Sequence, residues 1–517
     1  MAQTDGPVEV RTTRGTLRGT ASGGIAAFRG VRYAEAPAGA RRFAPPRRAE
    51  PWEGVAPALE FGPACPQGMG SALPPGAPAR SPVFGGLFGP GAHGTDEDCL
   101  RLNVWTPGCD GERRPVLVFV HGGAFRLGTS TAPTYDGSGL AARGDVVVVT
   151  LNYRLGALGF LHLPELGAAN LGLLDQVAAL EWVATEIAAF GGDPAAVTVF
   201  GESAGAKSVE CLLAMPAARG LFRAAVLQST YAPSMDAGVA ETFASTVADA
   251  AGVGDDQRAL VDLPVDTLLT AVAQVQLRSG PNLWSSGIGP VVDGAVLPQD
   301  PLAAVGSGSV PPVPLIVGTN LDEARLFGSM APGWLDISED ALEERLGLVL
   351  AGVPDAPAAR EVATVYRAAR SSRGQGCEPP DIVYAAQTDR LFRQHSIALA
   401  EAHARHQPDV WMYLFTRPAL SDGRLGACHA LELPFVFGTL EGPTAPLTGT
   451  DAAASELSAA MQDAWLSFAR SKVPEAGVGW PRYEGSRRAT LEIGGSPRVL
   501  DAPEEPERRL WAGRTGA

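Results

Sequence analysis

The sequence predicts an α/β fold, a mostly parallel sheet covered by helices, and three observations carry that prediction. Apolar runs of strand length recur along the chain, such as VLVFV at 116–120 and VVVV at 146–149. Between them lie stretches with apolar residues at helical spacing, such as LLDQVAALEWVATEIAAF at 173–190. The two patterns alternate, and strands alternating with helices imply a parallel sheet buried on both faces. The 517 residues are read as one domain, long enough to bury a large core without staples.

Taken in order, the chain opens with short alternating runs and glycines up to about residue 34, the pattern of a small antiparallel meander. Residues 66–98 are rich in Gly and Pro, longer than a plain connection, and read as a functional or disordered loop. Strand-like runs follow at 102–107, 115–120 and 145–154, then the helix at 173–190. VTVFGESAG at 197–205 reads as a strand, a sharp turn and the start of a helix. Further strands are expected from Ala224, at 312–320 and at 410–417, with a helix at 457–470. Helical patterns dominate 339–407, read as an insertion within the same domain.

Charge and composition exclude several function classes. The formal net charge is −15, which argues against nucleic acid and against an anionic membrane surface as partners. The first thirty residues lack the apolar core of an export signal, and no apolar run approaches the ~20 residues that span a bilayer. The expectation is a cytoplasmic protein, a monomer or weak homo-oligomer. Six cysteines form no CxxC pair and metal-ligand spacing is absent, so no metal is expected.

The chemistry concentrates at Ser203. A Gly-x-Ser-x-Gly pattern is weak evidence in a chain with 62 glycines, so its context decides. Here it stands between a buried strand and a helix, the setting of a nucleophile elbow in which the serine sits on a cramped turn. Gly201 and Gly205 supply the small flanking residues. Acyl transfer also needs N–H donors for the developing oxyanion. Ala204 would give one, and HGGAF at 121–125 follows an earlier strand, with Gly123 and Ala124 as donors and Gly122 shaping the turn. The base must follow the acid, and both follow the serine. That order removes His93, His121 and His162. His395, His403 and His406 fall in a pattern that reads as a solvated amphipathic helix, which leaves His429 in the loop after a strand. The acid should end a strand before it, and GTNLDEA at 318–324 offers Asp322 and Glu323 equally.

These residues resemble the type-B carboxylesterases, the group that includes cholinesterases and bacterial para-nitrobenzyl esterases. FGGDPAAVTVFGESAG at 190–205 and EDCLRLNVWTP at 97–107 are similar to its two signatures, although Arg101 stands where an aromatic or Thr is usual. FRGVRYAEAP, FGPACPQ, LNYRLGALGF, NLGLLDQVAALEWV, GPVVDG and HALELPFVFG match in family order, so the resemblance runs from about residue 28 to 438. It implies the α/β-hydrolase fold, a Ser203–His429–Glu323 triad, an oxyanion hole at Gly123, Ala124 and Ala204, and hydrolysis of small neutral esters without a cofactor. Glu202 is then expected beside the serine, and Ser229 near the acid. Cys65 and Cys99 occupy the positions bridged in secreted relatives, so the resemblance implies either a disulfide or two thiols. Phe84, Phe88, Phe125, Trp284 and Phe327 are candidates to line an apolar pocket. Lys207 departs from the family's small residue, in a first helical turn unfavourable to a cation; pairing with a carboxylate is the expectation. Cys428, beside His429, is expected to make the site sensitive to thiol reagents. Two other classes share the scaffold: an amide, carbamate or thioester hydrolase with the same triad, and a non-catalytic binding protein, which usually lacks triad members.

Overall fold

The computed structural model describes residues 5–68, 93–232, 234–278 and 287–514. Its strands, in chain order, are β1 (Gly6–Arg11), β2 (Thr16–Ser22), β3 (Ile25–Arg32), β4 (Val55–Pro57), β5 (Arg101–Thr106), β6 (Arg114–Val120), β7 (Val147–Leu151), β8 (Gly192–Glu202), β9 (Ala224–Gln228), β10 (Met235–Asp236), β11 (Val291–Val292), β12 (Leu315–Asn320), β13 (Val410–Phe415), β14 (Ala489–Ile493) and β15 (Arg498–Asp501). Thirteen of them form one sheet among the described residues, ordered β1-β2-β3-β5-β7-β6-β8-β9-β12-β13-β14-β15 with β4 beside β2. The N-terminal meander and β5 pair antiparallel. From β7 through β14 every pairing is parallel. That is the α/β-hydrolase arrangement, and its central strands are buried along their whole length, as β7 and β9 show.

The helices that matter to the site are α1 (Leu171–Glu186), α2 (Ala204–Ala214), α3 (Val265–Arg278), α4 (Leu342–Leu350), α5 (Ala359–Ser372), α6 (Pro379–Thr388), α7 (Gln394–Ala404) and α8 (Ala452–Ser471). Two large apolar clusters contain alternate side chains of the same strands: Val116, Val118 and Val120 of β6 in one, Leu117 and Phe119 in the other. The period of two in a strand assigns them so. Helices α4, α5 and α6 make a separate cluster around Leu346, Val362, Tyr366 and Ile382, closed by Trp511. Between α6 and α7 a π-helical turn, Asp389–Arg393, shifts the register. Among the described residues no helix is long and apolar enough to cross a membrane.

One expectation is corrected here. The segment 389–407 does not form a solvated helix: His395 and His403 are buried, and only His406 is exposed. The helix α7 packs against β12 and β13, so two of its histidines face inward. The His403 ring lies 2.8 Å from the Val313 carbonyl oxygen and His395 contacts a carboxylate described below.

Candidate active site

Ser203 stands between the end of β8 and the start of α2, at φ 57 and ψ −122. A serine adopts that backbone only where its surroundings impose it. Two hydrogen bonds clamp the turn: the Ser203 N–H donates to the Gln228 carbonyl at 2.8 Å, and the Ser203 carbonyl accepts from the Lys207 N–H at 2.9 Å. The flanking glycines are required by contact. A Cβ on Gly201 would lie 2.5 Å from the Gly205 carbonyl carbon, and one on Gly205 would overlap the Val120 carbonyl.

The HGGAF turn folds against this elbow. Gly123, Ala124 and Phe125 all have positive φ, at 110, 54 and 59. The turn closes through the N–H groups of Arg126 and Leu127, which both donate to the Gly123 carbonyl, at 3.0 and 3.1 Å. Among the described residues nothing takes up the N–H groups of Gly123, Ala124 or Ala204. A Cβ on Gly122 would stand 2.7 Å from Glu202 Oε2 and 3.0 Å from Ser203 Cβ, so glycine is what lets the two turns meet. His121 supports the turn from behind, stacked 4.6 Å from Tyr153. Burial pulls its imidazole down to about 4, so it stays neutral.

His429 lies between two carboxylates. Its Nδ1 is 2.6 Å from Glu323 Oε2, and its Nε2 is 3.0 Å from Glu202 Oε1. Glu323 is fixed in turn, its Oε1 accepting from the Ser229 hydroxyl at 2.6 Å and the Asn320 N–H at 2.7 Å. Asp322 faces away, accepting from the Ala427 N–H at 3.1 Å and pairing with Arg325 at 3.3 Å. Burial pulls the His429 imidazole down, but Glu202 and Glu323 outweigh it and carry it up to about 10. Burial also raises Glu202, with His429 opposing.

Several contributors were not anticipated from sequence. Glu432 adds a third buried carboxyl, accepting from Asn320 Nδ2 at 2.7 Å and Gln228 Nε2 at 3.0 Å. Burial, then Glu202 and Glu323, push it up to about 8, so it holds a proton at neutral pH. Phe392, on the π-helical turn, sets its ring 4.8 Å from that of His429, and Phe327 sets its own at 5.0 Å. Glu432 follows the histidine by three residues, a spacing that could have suggested it. Phe392 left no local signal.

The other candidates divide. Phe125 is buried against Phe160, ring centroids 4.6 Å apart, and belongs to the core. Phe84, Phe88 and Trp284 lie outside the described residues. Cys65 and Cys99 are free and buried, and Cys65 Sγ accepts from the Leu155 N–H at 3.2 Å. Cys428 corrects an expectation: its side chain is wholly buried in the core, and burial pushes the thiol well up, so no reactive thiolate faces the site. Lys207 is also buried, with Nζ 3.2 Å from Glu210 Oε1. Glu210 accepts from the Thr230 hydroxyl at 2.6 Å and lies 3.0 Å from His395 Nε2. Burial raises this carboxyl, but His395 and Lys207 overcome it and hold it down at about 2.

Comparison with known proteins agrees with this geometry. The model of the carboxylesterase family matches residues 6–511. The para-nitrobenzyl esterase of Bacillus subtilis (strain 168) is 38% identical over 509 residues, covering 97% of each chain. The phenmedipham hydrolase of Pseudarthrobacter oxydans is 35% identical over 494 residues, covering 93% of this chain and 94% of its own. A solved thermophilic PNB esterase superposes with a TM-score of 0.83 at 36% identity, covering 97% of this chain and 99% of that one. With its parallel sheet, its strained serine turn and its buried histidine between carboxylates, the chain belongs to the carboxylesterase family.

Proposed function

We propose that the protein hydrolyses small carboxylic esters to acid and alcohol through an acyl-enzyme on Ser203, with His429 as general base and Glu323 orienting it. The observation that carries this reading is the contact between the strained Ser203 turn and the Gly122 turn, beside an imidazole held on Nδ1 by Glu323. In the first step Ser203 Oγ attacks the ester carbonyl while the neutral form of His429, its imidazolium proton already lost, takes the serine proton at Nε2. Nε2 leaves Glu202 Oε1 to do so; hydrogen bonds of this kind often form fully only with substrate bound. The carbonyl oxygen becomes an oxyanion against the N–H groups of Gly123, Ala124 and Ala204. The C–O bond to the alcohol then breaks, and the alcohol leaves with the proton from His429. Water repeats the sequence on the acyl-enzyme. Losing one oxyanion donor typically costs about 10²–10³ in turnover.

The test is hydrolysis of p-nitrophenyl esters from C2 to C12 by wild type and Ser203→Ala. Turnover by wild type and silence of the variant is the expected result. Equal rates from both proteins would overturn the assignment of Ser203.

A further inference from the structure

Arg126 is a buried cation without an anion. It follows the oxyanion turn directly, its own N–H closing that turn on the Gly123 carbonyl. The residue is 7% exposed. Its Nη1 donates to Gln276 Oε1 at 3.2 Å, a neutral partner on α3. Its Nε and Nη2 have no acceptor among the described residues. Three other buried arginines each meet a carboxylate: Arg154 is 2.7 Å from Asp175, Arg42 2.7 Å from Glu97, and Arg393 2.7 Å from Glu504. Segments 69–92 and 279–286 contain no Asp or Glu in sequence, so no carboxylate can reach Arg126 from them.

An uncompensated buried charge is costly, and a protein keeps one where it is used. The burden is visible: burial pulls the guanidinium down to about 10, opposed by the nearby phenol of Tyr231. Tyr231 ties this position to the site, since its ring lies 6.2 Å from that of Phe392, which flanks His429. The two open donors are the important detail. Nε–H and Nη2–H point side by side from one edge of the guanidinium, the fork that matches the two oxygens of a carboxylate.

We infer that Arg126 is a specificity residue that receives a carboxylate of the substrate, so that the site favours esters carrying a second, ionised acid group. This rests on the esterase reading above and narrows its substrate class from neutral to anionic esters.

Two pairs of esters test it, each matched in heavy-atom count: mono-4-nitrophenyl glutarate against 4-nitrophenyl heptanoate, and 4-acetoxybenzoate against 4-isopropylphenyl acetate. The first pair places the carboxylate on the acyl side, the second on the alcohol side. Wild type should favour the charged member of at least one pair in kcat/KM. Arg126→Met should lower that charged-to-neutral ratio by about 10- to 100-fold, the worth of hydrogen bonds to a charged group. Absence of preference in both pairs, or an unchanged ratio in the variant, would overturn the inference. If wild type hydrolyses none of the four, the esterase reading fails separately, and glutarate binding to Ser203→Ala by calorimetry then decides for Arg126. Binding weakened at least tenfold by adding Arg126→Met supports the inference, and unchanged or undetectable binding refutes it. Arg126→Gln serves in both arms should the Met variant fail to fold.

Discussion

Two carboxylate–imidazole contacts in this molecule are buried on both sides, and their surroundings differ. At the ends of β8 and β12, His429 sits between Glu323 and Glu202, with Glu432 behind. On α2, about two turns beyond Ser203, Glu210 joins His395 and Lys207. Both groups are buried and both have short contacts. The difference is charge balance and what the imidazole faces. Lys207 and Glu210 neutralise each other, and His395 lies against the closed pair. Around His429 there are more carboxyls than cations, so a proton must be held among them, and Nε2 faces Glu202 Oε1 at 3.0 Å. The two contacts differ, then, in balance: a cation closes the one at His395, and none closes the one at His429 among the described residues.

The comparison breaks most visibly at the acid. Glu323→Gln removes the acceptor that fixes the His429 tautomer and should lower kcat/KM by about 10³–10⁴-fold, as loss of a triad acid does elsewhere. Glu210→Gln should change it by less than about tenfold. Steady-state hydrolysis of one p-nitrophenyl ester by both variants is the measurement, and equal losses would mean that the second cluster also serves the chemistry.

Stability should show the reverse order. Glu210→Ala strands Lys207 in the core and should cost about 3–5 kcal/mol, read as a loss of thermal or denaturant stability. Lys207→Met added to Glu210→Ala should recover most of it, because removing both members of a buried pair is often nearly neutral. The pH dependence has a definite sign. Glu210 is held at about 2, below its ordinary 4.5, so its contribution is complete above 4.5 and is lost as pH falls toward 2. Denaturant titrations at pH 3 and pH 6 should show the wild-type advantage over the double variant shrinking at the lower pH.

These pairs also mark how far the sequence could be read. The elbow, the HGGAF turn and the position of His429 were legible because each is a local demand: small residues where backbones touch, a strand before a turn, a loop after a strand. The parallel sheet was legible for the same reason, through runs such as 116–120 and 146–149. Asp322 and Glu323 were indistinguishable by pattern, because the choice depends on which side chain turns toward a histidine 106 residues later. His395 was opaque in the same way, whereas Lys207 pairs with a carboxylate as expected. The partner of His395, Glu210, lies 185 residues away in sequence, and only the fold brings the two side chains into contact. His395 and His403 were misread because polar spacing on a helix resembles a solvated face even when the face meets a buried carboxylate or carbonyl.

Glu202 tests the charge argument within the first cluster. It stabilises the His429 imidazolium, so Glu202→Gln should let that proton leave at lower pH. The rising limb of kcat/KM against pH should move down by about one unit or more, and kcat should fall about tenfold, since the imidazolium formed in the transition state loses the same support. The folded-state elevation also carries a stability term: present in full below the ordinary 6.5, lost as pH climbs through about 10. The variant should show less of that alkaline decline in denaturant titrations between pH 7 and pH 10.

The smallest effect is expected at Ser229. Its hydroxyl is one of two donors to Glu323 Oε1, and the Asn320 N–H remains when it is removed. Ser229 has φ 59, and alanine bears the same backbone strain there, so Ser229→Ala deletes the hydrogen bond with little else. One net hydrogen bond is worth about 1 kcal/mol, which corresponds to roughly a fivefold fall in kcat with KM unchanged. A fall as large as that of Glu323→Gln would mean that the acid is held mainly by the serine, and the balance drawn between the two clusters would then have to include Ser229 as an equal member of the first.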